Sequence, residues 1–218
     1  MRDAEALKRA AAEAAAAYVE DGMRLGLGTG STVRHLLPAL AARGLRGLRC
    51  VATSDATAAQ ATALGLPVEP FDALTALDLA IDGADQVAPD GWLVKGGGGA
   101  HVREKVVAAA ARRLVVIADA SKVVDALRPP VPVELLPFGL AATLDALAPA
   151  AVRPGAPPSP DGNVIADRMG PVDDPAVLAA RLDAEPGVVG HGLFPPALVS
   201  EVLIAAPSGV QRRVVSGA

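Results

Sequence analysis

The chain is short of several residue types, and each shortage removes a class of function. Cysteine occurs once, as Cys50, so no intrachain disulfide is available. Aromatic residues make up 2% of the 218 residues: three Phe, one Trp and one Tyr. A base-stacking platform for RNA or single-stranded DNA needs aromatic faces, so that function is not expected. No apolar run of about 18 residues passes without a charge, and no membrane span is expected. Positive charge is also scarce: Lys and Arg total 20 against 24 Asp and Glu, a net charge of −4. Such a chain has no bulk attraction for DNA or anionic lipid, so any phosphate must meet a local, preorganised site. Near the N-terminus, Asp3, Glu5 and Glu13 stand among alanines, without the basic-then-apolar order of a signal peptide. A cytoplasmic protein that binds neither nucleic acid nor membrane is expected. Lysine is the rarer base, limited to Lys8, Lys95, Lys105 and Lys122. A compact ammonium in an Arg-using chain marks positions where a point charge suits better than a planar fork.

Apolar residues make up 51%, enough for a substantial core and too many for general disorder. In the first half, short apolar runs alternate with helical stretches. An Ala-rich helix spans about Asp3 to Glu20, followed by strands at Met23–Leu27, Leu48–Thr53, Leu77–Ile81, Trp92–Val94 and Leu114–Ala118. Helices follow Ser31 or Thr32, Ser54, His101 and Ser121, the Ser and Thr acting as N-caps. Alternation of this kind predicts an α/β fold, a mostly parallel sheet flanked by helices. Pro129–Pro132 breaks the pattern. Beyond it come strands near Val131–Leu135, Val152, Asn163–Asp167, Val188–Phe194 and Val202–Ala206, with helices at Leu140–Leu147 and Pro175–Ala184. We therefore expect a catalytic domain of residues 1–130 plus 207–218, the last strand returning to the first sheet. Residues 131–206 are expected to form a smaller inserted α+β domain.

Ligands of such sheets sit beyond the carboxyl ends of the strands, and four polar clusters fall there. The first is Gly28-Thr29-Gly30-Ser31-Thr32. Glycines let backbone N–H groups approach a phosphate, and a helix start adds positive potential. It is neither a Walker A loop nor a dinucleotide fingerprint, because Lys and the third glycine are missing. The second is Asp82-Gly83-Ala84-Asp85, paired carboxylates that shift each other's pKa and suit acid–base work. The third is Lys95-Gly96-Gly97-Gly98-Gly99-Ala100-His101-Val102-Arg103-Glu104. Four consecutive glycines are costly in chain entropy, but their N–H groups can form an anion nest or oxyanion site. Glu104 falls in the first turn of the next helix, where the dipole favours an ionised base. The fourth cluster, Asp119-Ala120-Ser121-Lys122, sets a cation on the same rim. His101 and Glu104 have i, i+3 metal spacing, but no second His lies near and no metal is expected. His35 and His191 have no evident partner and read as surface or turn residues. Lys105 reads as structural.

Taken in order, these motifs with Thr53-Ser54, Arg103-Glu104-Lys105, Pro132-Val133-Glu134, Asp161-Gly162-Asn163 and Pro186-Gly187-Val188-Val189 resemble the ribose-5-phosphate isomerase A family. The resemblance covers essentially the whole chain. It implies an aldose–ketose isomerase interconverting D-ribose 5-phosphate and D-ribulose 5-phosphate through an enediolate, in the non-oxidative branch of the pentose phosphate pathway, without metal or organic cofactor. It implies a ferredoxin-like small domain and a homodimer or homotetramer. Glu104 is implied as the base, with Asp82, Asp85 and Lys95 as its catalytic companions. Thr29, Gly30, Ser31, Thr32, Lys122 and Lys8 are implied as phosphate and sugar contacts, and Gly83, Ala84, Gly96, Gly97 and Gly98 as substrate-binding backbone. His101 departs from the pattern at a place where a small or apolar residue is expected, and Gly99 lengthens the glycine run. The alternatives are a non-catalytic sugar-phosphate-sensing domain and a related sugar-phosphate deaminase or coenzyme A transferase-like enzyme. An intact Glu104 speaks against the first, and neither of the others matches these motifs.

Overall fold

A computed structural model describes residues 4–72 and 74–215. The chain opens with α1 (Ala4–Ala16), then β1 (Arg24–Leu27), α2 (Val33–Ala41), β2 (Arg49–Ala52) and α3 (Asp55–Ala63). It continues through β3 (Leu79–Gly83), β4 (Gln86–Val87), β5 (Leu93–Val94), α4 (His101–Ala110) and β6 (Leu114–Asp119). Next come β7 (Val131–Leu135), α5 (Leu140–Ala146), β8 (Ala150–Val152), β9 (Val164–Arg168) and α6 (Pro175–Asp183). The chain closes with β10 (Val188–His191), β11 (Leu193–Phe194), β12 (Glu201–Ala206) and β13 (Gly209–Val214).

Among the described residues the strands form three sheets. The central one runs β13-β12-β6-β3-β1-β2, with every neighbouring pair parallel except β12–β13. Apolar side chains fill its strands because both faces are covered; all six residues of β6 are buried. Alanine lets α1 lie close: Ala11, Ala12, Ala15 and Ala16 are all buried in the core that also takes Leu25, Leu36, Leu40 and Ile117. Because β1, β3 and β6 are adjacent and parallel, the loops that leave them emerge side by side. The topology thereby brings Thr29–Thr32, Asp82–Asp85 and Lys122 to one rim. The sheet β11-β5-β4 carries Lys95 over that rim: Leu193 pairs with Val94 and Phe194 with Leu93.

The antiparallel sheet β10-β7-β9-β8 buries Val131, Val133 and Leu135 against Leu178 and Leu182 of α6. Asp174 caps α6 through the Ala176 and Val177 N–H groups, and Pro175 follows at the first helical position. The strand at 202–206, expected in the small domain, lies instead in the central sheet between β6 and β13. Its residues Glu201–Ala205 are buried without alternation, the pattern of a central strand covered on both faces. The helix expected after Ser121 is one 3-10 turn, Ala120–Lys122. It stops because Val124 N–H is drawn into a bond with Val87 O, which keeps the chain extended. The first helix ends at Ala16 rather than near Glu20.

Candidate active site

The reacting end is a buried triad of charges. Lys95 Nζ lies 2.9 Å from Asp82 Oδ2 and 3.1 Å from Glu104 Oε2, and it donates to Gly83 O at 2.6 Å. Its ammonium also stands 5.3 Å from the centre of the buried Phe194 ring, within cation–π range. Thr29 N–H (3.1 Å) and Gly83 N–H (2.7 Å) donate to Asp82 Oδ1. This close packing explains Gly28: a Cβ there would fall 2.0 Å from the Asp82 carboxyl carbon. Burial disfavours charge on Lys95, but Asp82 and Glu104 outweigh it and hold the ammonium above its ordinary range. Burial also raises Asp82, against the pull of Lys95 and the two N–H donors. Burial and then the negative charge of Asp82 push Glu104 up to about 8, with Lys95 opposing. Two carboxylates around one cation leave a net negative site in low dielectric, and holding one proton relieves it.

Thr29, Gly30, Ser31, Thr32, Gly83, Ala84, Asp85, Lys95, Gly96, Gly97, Gly98, Glu104 and Lys122 line one cleft. The Thr29 hydroxyl is braced from below. It sits 2.7 Å from Thr53 Oγ1 and donates to Ser54 Oγ at 2.9 Å, while Thr57 Oγ1 donates to Gly28 O at 3.0 Å. Ser54 also caps α3 by accepting from Thr57 N–H at 3.2 Å. The α2 start meets the cleft at Thr32 with no side-chain cap; Arg34 and His35 N–H groups bond back to Gly30 O and Thr32 O, and the positive dipole end is turned toward whatever the cleft holds. Asp85 Oδ2 accepts from Gly97 N–H at 2.8 Å, linking the acidic turn to the glycine run.

The structure brings together every expected site residue except Lys8, and all but Asp82 and Lys8 line the cleft. Asp82 borders Lys95 without lining the cleft, its Oδ1 taken by two N–H groups and its Oδ2 by Lys95. Lys8 does not line it either. Its Nζ is held 2.7 Å from Glu5 Oε1, one helical turn away on α1. His35 and His191 do have partners. His35 Nε2 lies 2.9 Å from Glu5 Oε2. His191 is buried, with Nε2 3.1 Å from Asp183 and Nδ1 3.3 Å from Lys105 Nζ. His101 is fully buried and lines no part of the cleft. Burial pushes its imidazole down to about 3, so it is neutral. Sequence reasoning gave no role to Phe194, Thr57 or Arg153. Thr57 was signalled by the capping spacing Ser54-x-x-Thr57, but nothing local to Phe194 or Arg153 reveals a reach across the fold.

The profile of the family described as ribose 5-phosphate isomerase A (phosphoriboisomerase A) matches residues 49–209. A protein of Nitrobacter hamburgensis named ribose-5-phosphate isomerase A is 46% identical over 225 residues, covering 95% of this chain and 97% of its own. One of the same name from Caulobacter vibrioides is 46% identical, covering 94% and 96%. The crystal structure of ribose 5-phosphate isomerase A from Neisseria gonorrhoeae superposes with a TM-score of 0.94 at 31% identity, covering 98% of each chain. A D-ribose-5-phosphate isomerase in complex with phospho-erythronic acid gives 0.92 at 32% identity, covering 97% of this chain and 99% of that one. Profile, identity and superposition span both the central sheet and the inserted one, and the chain belongs to the ribose-5-phosphate isomerase A family.

Proposed function

We propose that Glu104 is the base of this isomerase, exchanging a proton between C1 and C2 of ribose 5-phosphate and ribulose 5-phosphate. The observation that carries this is its position: a carboxylate buried to 4% exposure that still borders the cleft, beside Lys95 and opposite the uncapped start of α2.

The furanose must first open. A proton leaves the anomeric hydroxyl and one arrives on the ring oxygen, giving the C1 aldehyde and the free C4 hydroxyl. Asp85 is the cleft-lining acid suited to that relay. The ionised Glu104 then takes the C2 proton. The C–H electron pair forms the C1–C2 double bond, and the carbonyl pair moves onto O1. The resulting enediolate is met by the Lys95 ammonium and by glycine N–H groups, donors fixed before the charge develops. Transfer of the O2 proton to O1, followed by return of the Glu104 proton to C1, leaves the ketone at C2. Meanwhile Thr29, Gly30, Ser31, Thr32 and Lys122 hold the phosphate, so that binding far from the reacting carbons keeps them in place.

The test is turnover. Purified protein mixed with ribose 5-phosphate should form ketose at the same rate with and without EDTA. No ketose above the uncatalysed background would reject the reading.

The homodimer is the assembly we favour. Leu136, Phe138, Met169 and Val177 are exposed large apolar residues, Phe138 at 91%, and all flank the antiparallel sheet region. A second copy would cover such surface. Sedimentation equilibrium should return twice the chain mass; a single mass would exclude the dimer, and four masses would point to the tetramer. A cytoplasmic setting is supported by the single, buried thiol of Cys50 in a mildly acidic chain.

A further inference from the structure

Arg153 follows β8 in the antiparallel region, yet its guanidinium reaches the glycine run. Nη1 donates to Gly96 O at 2.9 Å and to Gly97 O at 3.1 Å. The opposite edge, Nε and Nη2, donates to the two oxygens of Asp167 on β9 at 2.8 and 2.6 Å. A rigid planar fork makes both engagements at once, which a lysine cannot do. Arg153 and Asp167 are both largely buried, at 20% and 19% side-chain exposure.

The consequence follows from peptide geometry. In a trans peptide the C=O and the next N–H point in opposite directions. Turning the Gly96 and Gly97 carbonyls toward Arg153 turns the Gly97 and Gly98 N–H groups the other way. Gly97 N–H is found there, bonded to Asp85, and Asp85 lines the cleft. Gly98 N–H takes the same sense. It has no hydrogen-bond partner among the described residues, and Gly98 lines the cleft. Within the run Gly99 N–H bonds to Gly96 O at 3.0 Å; the Gly97–Gly98 peptide has no such bond, glycine gives it little intrinsic preference of orientation, and among the described residues its carbonyl is held by Arg153.

We propose that Arg153, locked by Asp167, is a positioning residue that fixes the peptide orientation of the glycine run. It keeps the Gly98 N–H ready as a donor to the oxyanion formed during isomerisation. The inference rests on the reading of an enediolate in this cleft. It also makes the antiparallel region part of the catalytic apparatus, although that region contributes no side chain to the lining of the cleft.

The experiment combines turnover with two inhibitors of the intact enzyme. Inorganic phosphate reports on the phosphate end alone. Phospho-erythronic acid adds a planar anionic carboxylate that resembles the enediolate. Arg153→Gln should lower kcat by about 10²-fold, the scale of a lost oxyanion donor, with KM little changed. Affinity for phospho-erythronic acid should fall by a similar factor, and affinity for phosphate should hold. Arg153→Lys should recover little, because the charge remains and the fork does not. Asp167→Asn should show the same split at smaller size. If Arg153→Gln does not fold, Asp167→Asn decides by the same criteria. Full kcat in a folded variant, or equal losses of affinity for both inhibitors, would overturn the proposal in favour of a structural clamp. Inactivity of the unmodified enzyme would instead reject the isomerase reading, and the inhibitor split would then still judge Arg153.

Discussion

At one end of the cleft Lys95 pairs with both Asp82 and Glu104, the three being 3%, 3% and 4% exposed. At the other, Gly30 and Ser31 are exposed, Thr29 and Lys122 half-buried, and the groups on offer are backbone N–H, hydroxyl and one ammonium. The division of work proposed above accounts for the difference. A phosphate keeps its charge throughout, so donors that touch water can hold it. A carbon acid loses its proton only if the base and the stabilising cation stand in a medium that weakens neither. The two lysines around Phe194, Lys95 buried and Lys105 half-buried, repeat the lesson on a smaller scale. Lys95 has two carboxylates and is held above its ordinary range. Lys105, 5.2 Å from the same ring, is pulled down by burial to about 8, with only Asp183 opposing. Burial lowers a lysine's pKa; paired acids raise it again.

If the ends divide chemistry from binding, substitutions should divide kcat from KM. Glu104→Gln should give the largest effect, a fall in kcat of about 10³–10⁴-fold, the upper range for a lost general base, with KM nearly unchanged in steady-state assays. Lys95→Met should follow, lowering kcat by about 10²–10³-fold through loss of an oxyanion partner. A change confined to KM would move Lys95 to the binding end and erase the distinction. The pH profile comes next. Glu104 acts when ionised and its carboxyl is raised to about 8, so log kcat/KM should climb with pH and level off only near there. The same shift has a stability sign. A folded-state pKa above the unfolded one stabilises fully below the ordinary carboxylate range and loses that contribution as pH rises through about 8. Urea midpoints of the unmodified chain should therefore fall across that window, and those of Glu104→Gln should not share the fall. Lys122→Ala should give the smallest effect, a KM raised about tenfold for one charge-assisted contact, with kcat held. Competitive inhibition by inorganic phosphate should weaken in step.

The binding end was the easier to read from sequence, because its parts are contiguous. Thr29–Thr32 form one turn, and glycines between a strand and a helix have few other uses. The α/β architecture was legible for a similar reason: apolar runs and caps alternate locally. The reacting end is assembled from Asp82, Lys95 and Glu104 on three separate elements. Each residue type suggested a role, but only the fold brings the Lys95 ammonium, from the end of β5, onto Asp82 and Gly83 of β3. Lys8 stands apart from the cleft, and a lysine on an amphipathic helix carries no local sign of which acid will claim it, here Glu5. The strand 202–206 was given to the wrong sheet because chain order does not reveal that β12 inserts between β6 and β13. Arg153 was out of reach for the same reason: its partners, Gly96 and Gly97, lie 57 and 56 positions away.

The most direct test of Glu104 as the carrier of the proton is isomerisation in D2O, followed by NMR at C1 of ribulose 5-phosphate and C2 of ribose 5-phosphate. The unmodified enzyme should place solvent deuterium at both carbons during turnover, and Glu104→Gln should bind substrate while placing none. Deuterium incorporation by Glu104→Gln at the unmodified rate would show that another group carries the proton.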